Sequence, residues 1–153
     1  MTHRTDLTGH AAGLPDPETE GAFYDGVLLK RGLAWVVDII LITLFTLVAG
    51  VLTITVAWFL WPLTFLVLGL LYRLSTLAFG SATWGMRLMG IELRDHRGAR
   101  FDGLSAAIHV AGYYASMTFV IPQLISVAAM IVTQRRQSLT DLVLGSAAIN
   151  RPG

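Results

Sequence analysis

Cysteine is absent from the 153 residues, which excludes a disulfide framework, thiolate metal sites and thiol catalysis. Charge is scarce: 14% of residues are Asp, Glu, Lys or Arg, against about 25% in soluble globular domains. The net charge of +1 supplies no concentrated basic face, so nucleic acid is not an expected partner. Catalytic signatures are missing too. No Gly-Lys-Ser/Thr follows the glycines at 80, 85 and 90, and neither His-Glu-x-x-His nor Gly-x-Ser-x-Gly occurs. The expectation is a non-enzyme with no cofactor and no metal. His109 is the one histidine in an apolar segment, because His3, His10 and His96 lie in polar ones; bis-histidine haem ligation has no second membrane partner.

What remains is apolar. Hydrophobic residues make up 54% of the chain and the mean hydropathy is +0.64, the composition of an integral membrane protein of one domain. From Gly32 to Tyr72 the sole charge is Asp38; at about 41 residues this run is twice the length one span needs, so two helices are expected. Gly50 to Thr55 is the poorest helix former in it, Pro62 suits a first helical turn, and Trp58 and Trp61 suit an interfacial belt. The spans are placed at 31–51 and 57–77.

Leu104 to Thr133 is long for one crossing and short for two. All eleven Lys and Arg fall at the N-terminal side of the first run, between Arg73 and Arg100, or at Arg135, Arg136 and Arg151. A turn near Pro122 puts every one of them on the same side, as the positive-inside rule prefers; a tilted single span is the alternative. The expected fold is an all-α membrane protein, a small polytopic bundle of two helical hairpins with the second one short. Both termini are then cytoplasmic. Residues 1–28, polar and acidic without apolar period, read as a disordered cytoplasmic tail, and 29–150 as the transmembrane domain. The loop between the hairpins reads as a β-hairpin, Ile91 to Arg94 against Ala99 to Phe101, with Asp102 capping the next helix. Its arginines Arg94, Arg97 and Arg100 would contact anionic lipid headgroups.

Asp38 carries the most information. Seven residues after Arg31, it lies on nearly the same helix face and about 10 Å deeper, where a carboxylate needs a partner. It reads either as an ion pair that fixes helix docking or as a proton or cation site. His109 is the nearest expected partner, on a stripe of Ser105, His109, Gly112 and Ser116 at helical spacing that admits close helix approach. Asp141, after Arg135 and Arg136, reads as part of a surface segment able to reach Arg31.

Three signatures then align in order. They are Arg31 with Asp38, the run Gly80-Ser81-Ala82-Thr83-Trp84-Gly85-Met86-Arg87-Leu88-Met89-Gly90-Ile91, and Gln137-Ser138-Leu139-Thr140-Asp141-Leu142-Val143-Leu144-Gly145-Ser146. Together they resemble the RDD family of small bacterial membrane proteins, over about Tyr24 to Ile149. The resemblance implies that Arg31, Asp38 and Asp141 are the name-giving residues and that Gly80, Thr83, Gly85, Arg87 and Gly90 form the family's loop motif. Met86 stands where the family loop usually has lysine, and His109 where many relatives have arginine. Cation/proton exchange is proposed for some members of the family and no activity is assigned to many. The expected function is therefore a non-catalytic accessory or structural subunit of a larger membrane assembly in the bacterial inner membrane. The alternative is a small homo-oligomeric cation/proton transporter working through Asp38. The lipid bilayer is the expected partner in both cases.

Overall fold

The computed structural model describes residues 13–53 and 56–152. Helix α1 spans Val27–Leu52, a short helix α2 Val56–Phe59, and α3 Trp61–Gly80. The break after Leu52 falls in the weak helix-forming stretch, and Pro62 occupies the first turn of α3, where its missing N–H has no helical partner to lose. Five residues, Trp84–Leu88, form α4, followed by strand β1 (Ile91–Arg94). Helix α5 (Gly103–Thr118) opens on Asp102, whose side chain accepts from the Ser105 N–H at 2.7 Å, the expected cap.

Helix α6 (Val120–Val132) is bent 118° from α5, so it turns back instead of continuing. The break is at Phe119, whose backbone is extended, three residues before Pro122. A proline ring at 122 clashes with the carbonyl four residues earlier, on Thr118, so α5 stops there and α6 restarts with the proline in its first turn. α1 and α3 are long and apolar enough to cross a membrane, and α5 with α6 makes a third candidate if counted as one span. The molecule is a helical membrane protein. Helix α7 (Leu139–Leu144) and strand β2 (Ala147–Asn150) close the chain.

Two expectations are corrected. β1 pairs antiparallel with β2, Ile91 opposite Asn150 and Arg94 opposite Ala147; toward Ala99–Phe101 it keeps a single bridge, Arg94 to Arg100. Ile91, Leu93, Ala147, Ala148 and Ile149 are all buried, and pairing the two apolar strands buries more apolar surface than the basic 97–100 segment offers. The tail is the second correction. Residues 1–12 lie outside the described residues, but from Gly13 onward the segment is packed. Leu14 and Phe23 lie against Tyr24 and Ile149, the Tyr24 hydroxyl donates to the Pro15 carbonyl at 2.8 Å, and Asn150 donates to the carbonyls of Ala22 and Asp25. The main buried core, built on Val27, Leu77, Ile91, Leu93, Phe101 and Val110, sits where α1 begins and α3 ends. The far ends of α1, α3 and α6 carry exposed Leu, Val, Ile and Phe instead.

Candidate functional site

Helix α1 buries Ala34, Asp38, Ile42, Thr46 and Gly50, one residue per turn on one side. Asp38 is therefore held facing α3 and α4, 2% exposed. Its Oδ1 accepts from the Tyr72 hydroxyl at 2.7 Å and from the Gly85 N–H at 2.9 Å, and its Oδ2 accepts from the Thr83 hydroxyl at 2.6 Å. Arg73 approaches Oδ2 to 3.7 Å. Thr83 is also the cap of α4, its oxygen accepting from the Met86 N–H at 3.2 Å, while the Tyr72 oxygen accepts from the Trp84 N–H at 3.0 Å. One carboxylate thus ties the start of α4 and the side of α3 to the middle of α1. Gly85 permits it: a Cβ there would collide with the carbonyl oxygen of Ala34 and lie 2.8 Å from Asp38 Oδ1.

His109 is not the partner of Asp38. Its Nδ1 lies 3.4 Å from Asp141 Oδ1, because α5 packs its Gly112 side on Thr140 of α7. Asp141, fully buried, forms an ion pair with Arg31 at 2.7 Å. It completes a capping box with Ser138, accepting from its N–H at 3.0 Å and its hydroxyl at 2.7 Å, and accepts from the Ser146 hydroxyl at 3.1 Å. Burial pushes the Asp141 carboxyl up. Arg31, then His109 and the Ser138 hydrogen bonds, outweigh that and hold it at about 2, below its ordinary 3.8. Arg31 and Asp38, seven residues apart on one helix, serve two separate clusters.

Between the clusters lies a cavity of about 380 Å³. Arg31, Asp38, Arg73 and His109 line it together with apolar residues and the neutral polar side chains of Thr83, Ser116, Gln123, Ser126 and Thr140. Arg73 stacks over the Tyr113 ring at 4.4 Å, and the Tyr113 hydroxyl accepts from the Trp35 indole at 2.8 Å. Nη2 of Arg73 and Nδ1 of His109 are buried without a hydrogen-bond partner, although Nδ1 faces Asp141 Oδ1 at 3.4 Å. Ser116 belongs to the same wall, while Ser105 lies at the α5 cap.

The remaining loop residues divide by role. Gly80 ends α3 beside the Arg87 guanidinium, Arg87 donates to the Ala82 carbonyl at 3.2 Å, and Gly90, at φ +70°, turns the chain into β1. Arg94 is corrected: its guanidinium is taken up by Glu92, a buried acid on β1, and by the Gly98 carbonyl. A lipid phosphate would have to displace a bond already made. Arg97 pairs with Asp95 at 3.3 Å and Arg100 lies 3.7 Å from Glu92, both largely exposed. Arg151 reaches Glu92 at 3.4 Å.

Arg73, Tyr72 and Glu92 escaped sequence reasoning. Arg73 looked like the interfacial end of a span, but it lies seven residues inside α3. A charge flanked by Tyr72 within a helix otherwise apolar on its neighbours was the available signal. Among the described residues no group of His, Asp and Glu is arranged to hold a metal ion. No curated protein and no solved structure matches the chain. The family model described as the RDD family matches residues 26–145, a stretch that contains Asp38, Asp141 and the loop between them.

Proposed function

This chain belongs to the RDD family, and from that premise we propose that it is a non-catalytic accessory or structural subunit of a larger membrane assembly. In this reading it is a multi-pass protein of the bacterial inner membrane with both termini cytoplasmic. The observation that carries it is the saturation of Asp38. Both oxygens accept short hydrogen bonds from groups that position α4, so the carboxylate acts as a latch that joins α1, α3 and the family loop. Asp141 does the same for α1, α5 and α7. A transported proton or cation would have to take these oxygens from their donors and loosen three elements at each passage.

The surface supports contact with apolar neighbours of either kind, lipid or protein. Trp58 and Phe119 are exposed, whereas Gly69 and Tyr114 are packed on each other and Tyr113 is bonded to Trp35. The transport alternative is favoured by one feature, the cavity between the two clusters. Asp38→Asn separates the readings. The expected result is a protein that unfolds more easily in detergent while any proton-coupled flux in proteoliposomes stays at the liposome background for both forms. Flux in the wild type that disappears in a stably folded Asp38→Asn would establish transport and refute the latch. Extraction in a mild detergent is expected to bring a second, defined chain in fixed stoichiometry; a lone small homo-oligomer would count against the accessory role.

A further inference from the structure

The cavity between the two acid clusters is built differently from the rest of the interior. Arg31, Arg73 and Asp38 lie on its wall, and Asp141, behind the wall, pairs with Arg31 at 2.7 Å, so the permanent charges balance. Yet the hydrogen bonds do not. Asp38 satisfies its oxygens from Tyr72, Thr83 and Gly85, and leaves Arg73 at 3.7 Å, beyond hydrogen-bond distance. Arg73 is 8% exposed, its Nη2 has no partner, and it lines the cavity. His109, 9% exposed, lines the same wall, although its Nδ1 faces Asp141 Oδ1 at 3.4 Å without a hydrogen bond. Buried polar groups in folded proteins are paired as a rule, so the orphaned guanidinium nitrogen of Arg73, a residue of this wall, points to an acceptor that enters the cavity. Leu28, Leu77, Val110, Val127 and Met130 give the rest of the wall an apolar part, and the neutral side chains of Ser116, Gln123 and Ser126 a polar one. At about 380 Å³ the space falls in the range of small-molecule sites.

Charge decides the class of ligand. A carboxylate or phosphate would bring an extra negative charge beside Asp38, into a low-dielectric space whose two arginines are each already matched by a carboxylate. A neutral oxygen acceptor on an apolar body meets no such penalty. We propose that this cavity binds a neutral lipophilic carbonyl compound, a lipid-soluble quinone or a diacylglycerol ester, with its oxygen on Arg73 Nη2 and His109 beside it. The site is independent of the accessory reading, since neither the latch nor any docking partner is needed for it.

The test uses the full chain purified and delipidated in dodecyl maltoside, with bound molecules counted by native mass spectrometry. Decylubiquinone, dioctanoylglycerol and the anionic decanoate are titrated separately. The expected result is saturation by one of the neutral probes at one molecule per chain, with decanoate at least about tenfold weaker; the probe that binds identifies the source. Arg73→Lys keeps the charge but removes the Nη2 fork, and should weaken binding about tenfold or more, the size of one charge-assisted hydrogen bond. Gly32→Leu adds bulk to the same wall at an exposed position where a Cβ meets nothing within 4 Å. It therefore tests the cavity even if Arg73→Lys fails to fold, as judged by circular dichroism. Failure of both neutral probes to saturate, equal binding of decanoate, or wild-type binding by Gly32→Leu would overturn the proposal.

Discussion

Gly85→Ala is a one-carbon change that should disable the Asp38 latch. The added Cβ would collide with the Ala34 carbonyl oxygen and sit 2.8 Å from Asp38 Oδ1 and 2.9 Å from the Ala34 carbonyl carbon. Two of these three neighbours are backbone of α1, so relief requires α4 to move as a unit. Overpacking of this kind costs about 1–3 kcal/mol. The shift also lengthens the Gly85 and Thr83 bonds to Asp38, now 2.9 and 2.6 Å, and hydrogen bonds to a charged group contribute about 1.5–3 kcal/mol each. Partial loss of both brings the expected destabilisation to about 3–5 kcal/mol. Unfolding in mixed micelles, followed by tryptophan fluorescence, measures it. Gly32→Ala is the matched control, since its Cβ meets nothing within 4 Å and a helix interior gains about 0.5–1 kcal/mol from the exchange. If Gly85→Ala unfolds within about 0.5 kcal/mol of the wild type, the close approach of α4 to α1 is not what holds this end of the bundle.

Three further outcomes are expected. Asp141, held at about 2 in the folded chain against an ordinary 3.8, binds its proton more readily when unfolded; its contribution of about 2 kcal/mol is complete above about pH 5 and lost as pH falls through 2. Asp141→Asn should flatten that acid limb in a pH series of unfolding midpoints, and an unchanged limb would remove the Arg31–Asp141 pair as its cause. Glu92→Gln leaves Arg94 without its buried counter-charge and should cost about 3 kcal/mol or more. Arg151→Gln, at an exposed partner of the same acid, should cost under about 1 kcal/mol; equal effects would argue against a buried hub. For topology, the cysteine-free chain accepts single substitutions: Gln137→Cys should resist an impermeant thiol reagent applied from outside intact cells, and labelling there would place the end of α6 on the wrong side.

The pairing of acids with bases explains why this bundle can hold charge at all. Neither Asp38 nor Asp141 relies on one ion pair. Each also collects hydroxyl and backbone donors, which are the shorter contacts at Asp38 and stand beside the Arg31 ion pair at Asp141. Hydroxyl and amide donors carry no net charge to desolvate, so they satisfy a buried carboxylate at lower cost than a second ion would.

Sequence alone determined the properties that depend on local composition. The long apolar runs, the helix break expected within Gly50 to Thr55, the turn forced near Pro122 and the Asp102 cap all follow from what neighbouring residues can do within one or two helical turns. So does the burial of Asp38, because a carboxylate among so few charges cannot face lipid unpaired; Asp141, read as part of a surface segment, is buried instead. Which base met which acid was decided only in three dimensions. A membrane helix is apolar on the lipid side and the packed side alike, so its sequence carries little record of which face turns inward, and the rotation of α5 that gives His109 to Asp141 instead of Asp38 left no local trace. The exchange of Ala99–Phe101 for Ala147–Asn150 as the partner of β1 is of the same kind. Strand pairing is settled by what each candidate buries across the fold, and that comparison exists only once α7 has brought the end of the chain back to its beginning.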